Sequence, residues 1–150
     1  SKYQSEFFRK IKEALGNRED IIVSGDRFIF PSEVFFESGS DIIQKAGREK
    51  LYNIAISLKE ISEKIPKKID WILRIDGHTD KVPINNERFE SNWHLSSSRA
   101  INIVKFFIEE GISPRRLVAA GFGEYSPLLL DDNELAYEKN RRIEIKLTTR

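Results

Sequence analysis

Hydrophobic positions recur with different periods along the chain, and each period predicts an element. Over residues 3–15 the apolar side chains return every three or four positions, which predicts a helix that ends at Gly16. The apolar runs 21–23 and 28–30 lie on either side of a turn sequence, Ser24-Gly25-Asp26, and therefore predict a β-hairpin. The chain is thus expected to open with one helix and one hairpin.

The clearest helical pattern covers residues 46–65, where apolar residues form one stripe and charged residues face away from it. Residues 34–36 precede it and predict a short strand. Pro66 stops the helix, because a proline cannot donate the next backbone hydrogen bond. Residues 69–75 then predict a strand with apolar side chains on both faces, which is typical of an interior strand.

A polar segment, residues 77–94, predicts a loop, and loops of this length in compact domains are usually functional or mobile. Ser96 predicts the N-cap of a helix that runs to about residue 110. Residues 117–120 and 142–149 predict the last two strands, with a helical turn near 135–137 between them.

The predicted order is a helix and a hairpin, followed by strand, helix, strand, helix, strand and strand. This order indicates an α+β fold. A single mixed sheet with helices packed on one face is the layer arrangement that buries all of the apolar stripes. Each crossover between parallel strands is expected to be right-handed.

Composition narrows the class of protein. With 25 basic and 24 acidic residues, the charges nearly balance, which argues against a nucleic-acid-binding protein. The chain has no cysteine, so thiol catalysis, disulfides and cysteine zinc sites are excluded. No apolar run approaches the roughly 18 residues of a membrane helix. Because the sequence starts at Ser1 and contains no Met, we expect an excised piece of a longer protein.

An acid and a base flank the predicted loop. Asp80 follows the end of an apolar strand, and Arg99 falls in the first turn of the next helix if Ser96 is its N-cap. A cation there opposes the helix dipole, which a bound anion would explain. A ligand that carries an ammonium and a carboxylate would fit between the two side chains, and both are expected to face solvent. The ordinary alternatives are a turn-capping Asp80 and a surface ion pair of Arg99.

Two other groups of residues carry possible chemistry. His78, Asp80 and His94 would form the ligands of a metal-dependent hydrolase, although their spacing matches no zinc motif and His78 is better interpreted as a packed strand-end residue. Asn140 is placed to hydrogen-bond the loop after Gly77. The adjacent arginines 141 and 142 begin the last strand, so alternation allows only one of them to point toward a site, and a solvated face remains the alternative.

These pieces in this order resemble the OmpA-like peptidoglycan-binding domain family. The matching pieces start near residue 34 and run to the end of the chain. They are Gly77-His78-Thr79-Asp80, Asn92, Leu95-Ser96, Arg99-Ala100, Gly111-Ile112, Arg116-Leu117, Gly121-Phe122-Gly123, Pro127 and Asn140-Arg141-Arg142. The loop between Asp80 and Arg99 is longer than in the outer-membrane members. Its Asn92-Trp93-His94-Leu95-Ser96 run is similar to that of the MotB-like members.

The resemblance implies a fold and a ligand. The fold is an OmpA-like two-layer sandwich of β-α-β-α-β-β order over residues 32–150, with residues 1–31 as an N-terminal extension. The ligand is the meso-diaminopimelate of the peptidoglycan stem peptide, whose ammonium would be held by Asp80 and whose carboxylate would be held by Arg99. By the same resemblance, the other residues of the site are Thr79, Asn92, Asn140, Phe36, Glu37, Gly77 and Arg142.

The function expected from this resemblance is non-covalent anchoring of an envelope protein to the cell wall. The chain would be a binding module and not an enzyme, with no metal or cofactor and no nucleic-acid partner. It would lie in the periplasm, be tethered to the inner or outer membrane through a segment outside this piece, and form a homodimer as MotB-like members suggest. The alternatives from the residues alone are the hydrolase above and a protein-interaction domain without wall binding.

Overall fold

Four helices and five strands, in the described part of the chain, build an α+β fold. The structure is a computed structural model that describes residues 2–16 and 21–150. The helices are α1 (Lys2–Leu15), α2 (Lys45–Ser62), α3 (Asn92–Glu109) and α4 (Glu134–Asn140). The strands are β1 (Ile22–Ser24), β2 (Arg27–Pro31), β3 (Trp71–His78), β4 (Leu117–Gly121) and β5 (Arg142–Thr149), and 3-10 turns cover Ser32–Val34 and Pro114–Arg116.

The strands of the described residues form one mixed sheet in the order β1-β2-β5-β3-β4. Only β3 and β4 pair in parallel, joined by α3, and the other neighbours are antiparallel. The strand β3 is interior, as its apolar side chains on both faces predicted. The strand β5 stands in the middle of the sheet, with β2 on one side and β3 on the other.

One hydrophobic core joins α1, α2 and α3 to one face of the sheet. Alternate residues of β3 and β5 point into it, and the apolar stripe of α2 covers them. The helix α1 adds Phe7 and Ile11 to the same cluster, and β2 adds Phe28 and Phe30. The predicted α+β sandwich with its helices on one face is therefore confirmed. The proposed boundary at residue 31 stays a prediction, although both parts of the chain contribute to this core.

The predicted strand at residues 34–36 is wrong. Ser32–Val34 forms a 3-10 turn, in which the carbonyl of Ser32 accepts hydrogen bonds from the amides of Phe35 and Phe36 at 3.0 and 2.9 Å. The two phenylalanines are buried in the core, which explains their apolar character without a strand. Phe36 makes only an isolated bridge with Ile43, and β2 is the strand that precedes α2 in the sheet.

The helix α3 begins at Asn92, four residues before the predicted N-cap. Ser91 is the N-cap, with an extended backbone, and Ser96 lies inside the helix. The Ser96 hydroxyl is fully buried and accepts a hydrogen bond from the Gly123 amide at 2.9 Å, so it joins α3 to the loop after β4. The polar loop is correspondingly shorter, since β3 extends to His78. Arg99 therefore lies about two turns inside the helix.

Candidate ligand-binding site

A cavity of about 520 Å³ opens at the end of the sheet where β3 stops. The residues that line it come from the 3-10 turn and loop before α2, the loop after β3, the first turns of α3, and both ends of α4. They are Ser32, Glu33, Phe36, Glu37, Ser38, Gly39, Thr79, Asp80, Val82, Pro83, Ile84, Asn92, Leu95, Arg99, Glu134 and Arg141. Asp80 and Arg99 thus face the same cavity.

The carboxylate of Asp80 is held at both oxygens. Oδ1 accepts a hydrogen bond from the Val82 amide at 3.0 Å, which is the turn-capping contact. Oδ2 accepts one from Arg141 Nη1 at 2.8 Å. The side chain is only 13% exposed, so the expectation of a solvent-facing acid was wrong. Asp80 therefore both shapes its own loop and presents an already paired carboxylate to the cavity.

Arg99 is buried instead of solvent-facing, which corrects the second half of the expectation. Its Nε donates to the Ser40 carbonyl at 2.7 Å, and its Nη2 donates to the Glu37 carbonyl at 3.1 Å. The guanidinium carbon lies 5.0 Å from the ring centroid of Phe36. Burial lowers the pKa of Arg99 to about 10, although nearby acids oppose that shift. The helix dipole gives no reason for an anion at Arg99, because this side chain is not in the first turn of α3.

Asn92 and Thr79 hold the loop that carries Asp80. The side-chain Nδ2 of Asn92 donates to the backbone carbonyls of Asp80 and Val82 at 3.3 and 3.1 Å. The Thr79 hydroxyl donates to the Asp80 carbonyl at 2.7 Å, and the Thr79 amide donates to the carbonyl of Gly123 at 2.9 Å. Both residues also line the cavity, as do Phe36 and Glu37.

Three residues expected at the site lie outside this lining. Gly77 packs beneath α3, where an added Cβ would collide with the Ser96 carbonyl. Asn140 does not bond the loop after Gly77. Its side chain accepts from the amides of Leu128 and Leu129 and donates to the Leu129 carbonyl. Arg142 is buried, and it donates from Nε to Glu144 at 2.7 Å and from Nη2 to the Ser126 carbonyl at 2.8 Å.

Of the two adjacent arginines, Arg141 lines the cavity, whereas the sequence had placed Arg142 in the site. It lies between α4 and β5, outside the strand, so the alternation of a strand does not govern its direction. Its guanidinium contacts three acids, with Nη1 on Asp80 at 2.8 Å, Nε on Glu33 at 2.8 Å and Nη2 on Glu134 at 2.9 Å. Partial burial alone would lower the pKa of Arg141, but these carboxylates outweigh it and raise that pKa.

The metal alternative is not supported by the geometry. His94 is half-exposed and contacts Ser91, whereas His78 is buried and stacks on Phe122 with ring centroids 4.6 Å apart. Within the described residues, the group whose ligand atoms lie within 4.8 Å of one another is Asp76, His78 and Glu144, not the predicted set.

That alternative group is itself a poor cation site. Arginines already neutralise both of its carboxylates: Arg74 donates to Asp76 at 2.8 Å, and Arg27 and Arg142 donate to Glu144 at 2.6 and 2.7 Å. A metal ion would sit among three guanidinium groups, whose charge repels it. The cluster is better described as a buried ionic network on the sheet face opposite the helices.

Comparison with known proteins now bears on this geometry. Residues 35–141, which include every cavity residue except Ser32 and Glu33, match the sequence profile of the OmpA family. The chain belongs to the OmpA family. The resemblance noted in the sequence is therefore confirmed.

The relatives of this OmpA-family chain include two motility proteins. It is 34% identical to "Motility protein B" of Bacillus subtilis (strain 168), over 99% of the chain and 55% of that protein. It is 31% identical to "Motility protein B" of Helicobacter pylori (strain J99 / ATCC 700824), over 85% of the chain and 48% of that protein. The chain thus spans about half the length of the curated relatives it matches.

Solved structures agree with the fold. A MotB-like protein from Desulfovibrio vulgaris superposes with a TM-score of 0.84 at 27% identity, covering 99% of this chain and 93% of that one. The periplasmic domain of Helicobacter pylori MotB (residues 90–256) gives a TM-score of 0.70 at 28% identity, with 86% and 78% covered. In the described residues, no helix combines the length and apolar character needed to cross a bilayer.

Proposed function

We propose that this OmpA-family chain binds the diaminopimelate of the peptidoglycan stem peptide and thereby anchors an envelope protein to the cell wall. The observation that supports this most is the shared cavity of Asp80 and Arg99, an acid and a base at one opening of about 520 Å³. The free end of diaminopimelate carries an ammonium and a carboxylate, so it matches both charges. Phe36 and Leu95 supply apolar wall for its methylene chain.

The proposal needs binding only and no bond making. Each charge-assisted hydrogen bond contributes about 1.5–3 kcal/mol, and immobilising the ligand costs part of that gain. A single site would therefore fall in about the micromolar to millimolar range. A dense polymer and a tethered or dimeric protein raise the effective affinity, because the second binding event becomes intramolecular.

The same proposal includes the setting of the molecule. The chain would lie in the periplasm, as the MotB domain of Helicobacter pylori in the solved structure does by its description. A segment outside this piece would tether it to a membrane, and a homodimer would supply the avidity. No nucleic-acid partner, metal, cofactor or catalytic step is required.

The test is co-sedimentation with purified peptidoglycan of the diaminopimelate type. Asp80→Asn is the sharpest variant, because the amide oxygen can still accept from Val82 while the charge that binds an ammonium is removed. Asp131→Asn on the exposed surface is the matched control. We expect the wild type and the control to sediment with the wall and Asp80→Asn to remain in solution.

Equal sedimentation of all three proteins would show that the assignment of Asp80 is wrong. Absence of wild-type sedimentation would instead favour a protein-interaction domain. Isothermal titration with a diaminopimelate tripeptide separates binding of the stem peptide from adhesion to the glycan.

A further inference from the structure

Asp80, the acid of the proposed site, already forms an ion pair with Arg141. Arg141 places one guanidinium nitrogen on each of three carboxylates, those of Glu33, Asp80 and Glu134. Two of these acids are largely solvent-exposed, with 47% and 74% of the side chain accessible, whereas Asp80 is 13% exposed. An incoming ammonium must therefore compete with Arg141 for Asp80, the least exposed of the three acids.

Arg99 is held in place before any ligand binds. Its Nε and Nη2 donate to the carbonyls of Ser40 and Glu37, and its guanidinium carbon lies 5.0 Å from the ring centroid of Phe36. Because these contacts fix one side of the guanidinium, its Nη1 edge is the part of Arg99 that can meet a ligand carboxylate. Arg141 offers a second cation at the same cavity.

We propose that Arg141 determines the ligand specificity of this site. The zwitterionic head group inserts into the Asp80–Arg141 ion pair, so that its ammonium takes Asp80 and its carboxylate takes the released Nη1 edge of Arg141. This inference rests on the proposed function and adds a second reader of the carboxylate. Arg99 in addition fixes the loop 37–40 through its contacts with the carbonyls of Ser40 and Glu37.

The balance of charge in the cavity is the physical reason why the site would select a zwitterionic head group. A zwitterion exchanges one internal ion pair for two external ones and leaves the net charge of the cavity unchanged. A head group with an ammonium but no carboxylate would leave the displaced guanidinium beside another cation, and like charges at such short range repel. Lysine, and diaminopimelate whose free carboxyl is a carboxamide, are head groups of this second kind.

Three stem-peptide probes test the proposal by isothermal titration. They end in diaminopimelate with its free carboxylate, in the same residue as its carboxamide, and in lysine. The proteins are the wild type, Arg141→Gln, Arg141→Lys and the control Arg9→Gln, whose side chain is exposed on α1. We expect the wild type and the control to prefer the free acid by about tenfold to a hundredfold, the loss of one charge-assisted hydrogen bond.

The Arg141→Gln substitution should affect the probes in opposite directions. The carboxamide and lysine probes should bind it more tightly than they bind the wild type, because Asp80 no longer has a competing cation. The free acid should lose its advantage. Arg141→Lys keeps the charge and should keep the preference for the free acid.

Two outcomes overturn the proposal while leaving the proposed function intact. One is an undiminished preference of Arg141→Gln for the free acid, which would assign carboxylate recognition to Arg99. The other is a parallel loss for all three probes, which a merely structural role would produce. If the wild type binds none of the probes, the proposed function fails and this inference fails with it.

Discussion

Gly77 on β3 and Gly121 on β4 lie opposite each other in the parallel register, and α3 crosses both of them. A Cβ at either position would collide with α3, with the carbonyl of Ser96 in one case and with Ser97 in the other. The absence of two side chains lets the helix approach the sheet closely. That approach places the cavity residues of α3, which are Asn92, Leu95 and Arg99, at the end of β3.

Gly77→Ala should destabilise the domain, because backbone and not a flexible side chain blocks the new methyl group. Forcing an extra carbon into a packed interior costs about 1–3 kcal/mol or more. Urea unfolding measures the loss. Gly25→Asn is the matched control: Gly25 is a hairpin glycine with φ +62° and open space around it, and asparagine tolerates that backbone. Equal stability of Gly77→Ala and the control would contradict the close approach.

Arg99→Ala should also destabilise the free protein, independently of any ligand. The Ser40 carbonyl would lose the Arg99 donor, and the Glu37 carbonyl would keep only the Ser40 amide. We expect a fall in the free energy of unfolding of about 1–3 kcal/mol by chemical denaturation, the cost of one acceptor left without its donor. Arg9→Ala, which removes only an exposed helix pair, should change it by less than about 0.5 kcal/mol. An Arg99→Ala variant as stable as the control would mean that this arginine does not fix the loop.

Asn140→Ala should loosen the segment before α4 without unfolding the sheet. Its side chain makes three hydrogen bonds with Leu128 and Leu129, of 2.8, 3.0 and 2.8 Å. Hydrogen exchange should show faster exchange of those two amides, while the β3 amides remain protected. Asn53→Ala on α2 is the control that leaves this segment unchanged. Unaltered protection of Leu128 and Leu129 in Asn140→Ala would refute the role.

His78 should make stability depend on pH below neutrality. Burial lowers its pKa from 6.5 to about 4, and Arg142 adds to that shift. The unfolded chain therefore binds the proton at higher pH than the folded one. The free energy of unfolding should decrease as the pH falls from about 6.5 to about 4, by up to about 3 kcal/mol.

His78→Phe should remove this part of the pH dependence, because a phenyl ring keeps the stacking on Phe122 without a titrating group. Unfolding in urea at several pH values between 4 and 7.5 measures the difference between variant and wild type. His94→Gln, at a half-exposed position, serves as the control and should follow the wild-type curve. A His78→Phe curve parallel to that of the wild type would contradict the prediction.

The sequence predicted the fold well wherever periodicity and burial agree. The stripe of α2 and the two-sided strand β3 were found because each pattern repeats over many residues. The strand predicted at residues 34–36 was wrong, because Phe35 and Phe36 are buried in the core although the backbone before them forms a 3-10 turn. The start of α3 was misplaced because Ser96, a good capping residue by type, is instead used inside the helix to bind Gly123.

Most but not all of the residues that the sequence predicted for the site meet at the cavity, and the sequence did not predict how they are paired. The order of motifs brought Asp80, Arg99, Asn92 and Thr79 to one cavity. The burial of Arg99 and its hydrogen bonds to two backbone carbonyls depend on the path of the loop 37–40, which no local sequence pattern predicts. That Arg141 and not Arg142 faces the cavity depends on the path of the chain at the end of α4, because Arg141 precedes β5 and the alternation of a strand does not apply to it.

The place of β5 has a consequence for biosynthesis. The strand that leaves the ribosome last among the five takes the middle position, between β2 and β3. Until it arrives, the earlier strands form two separate pairs with open inner edges, which invite association with other chains. Completion of the sheet must therefore await the emergence of the residues through Thr149 from the ribosome.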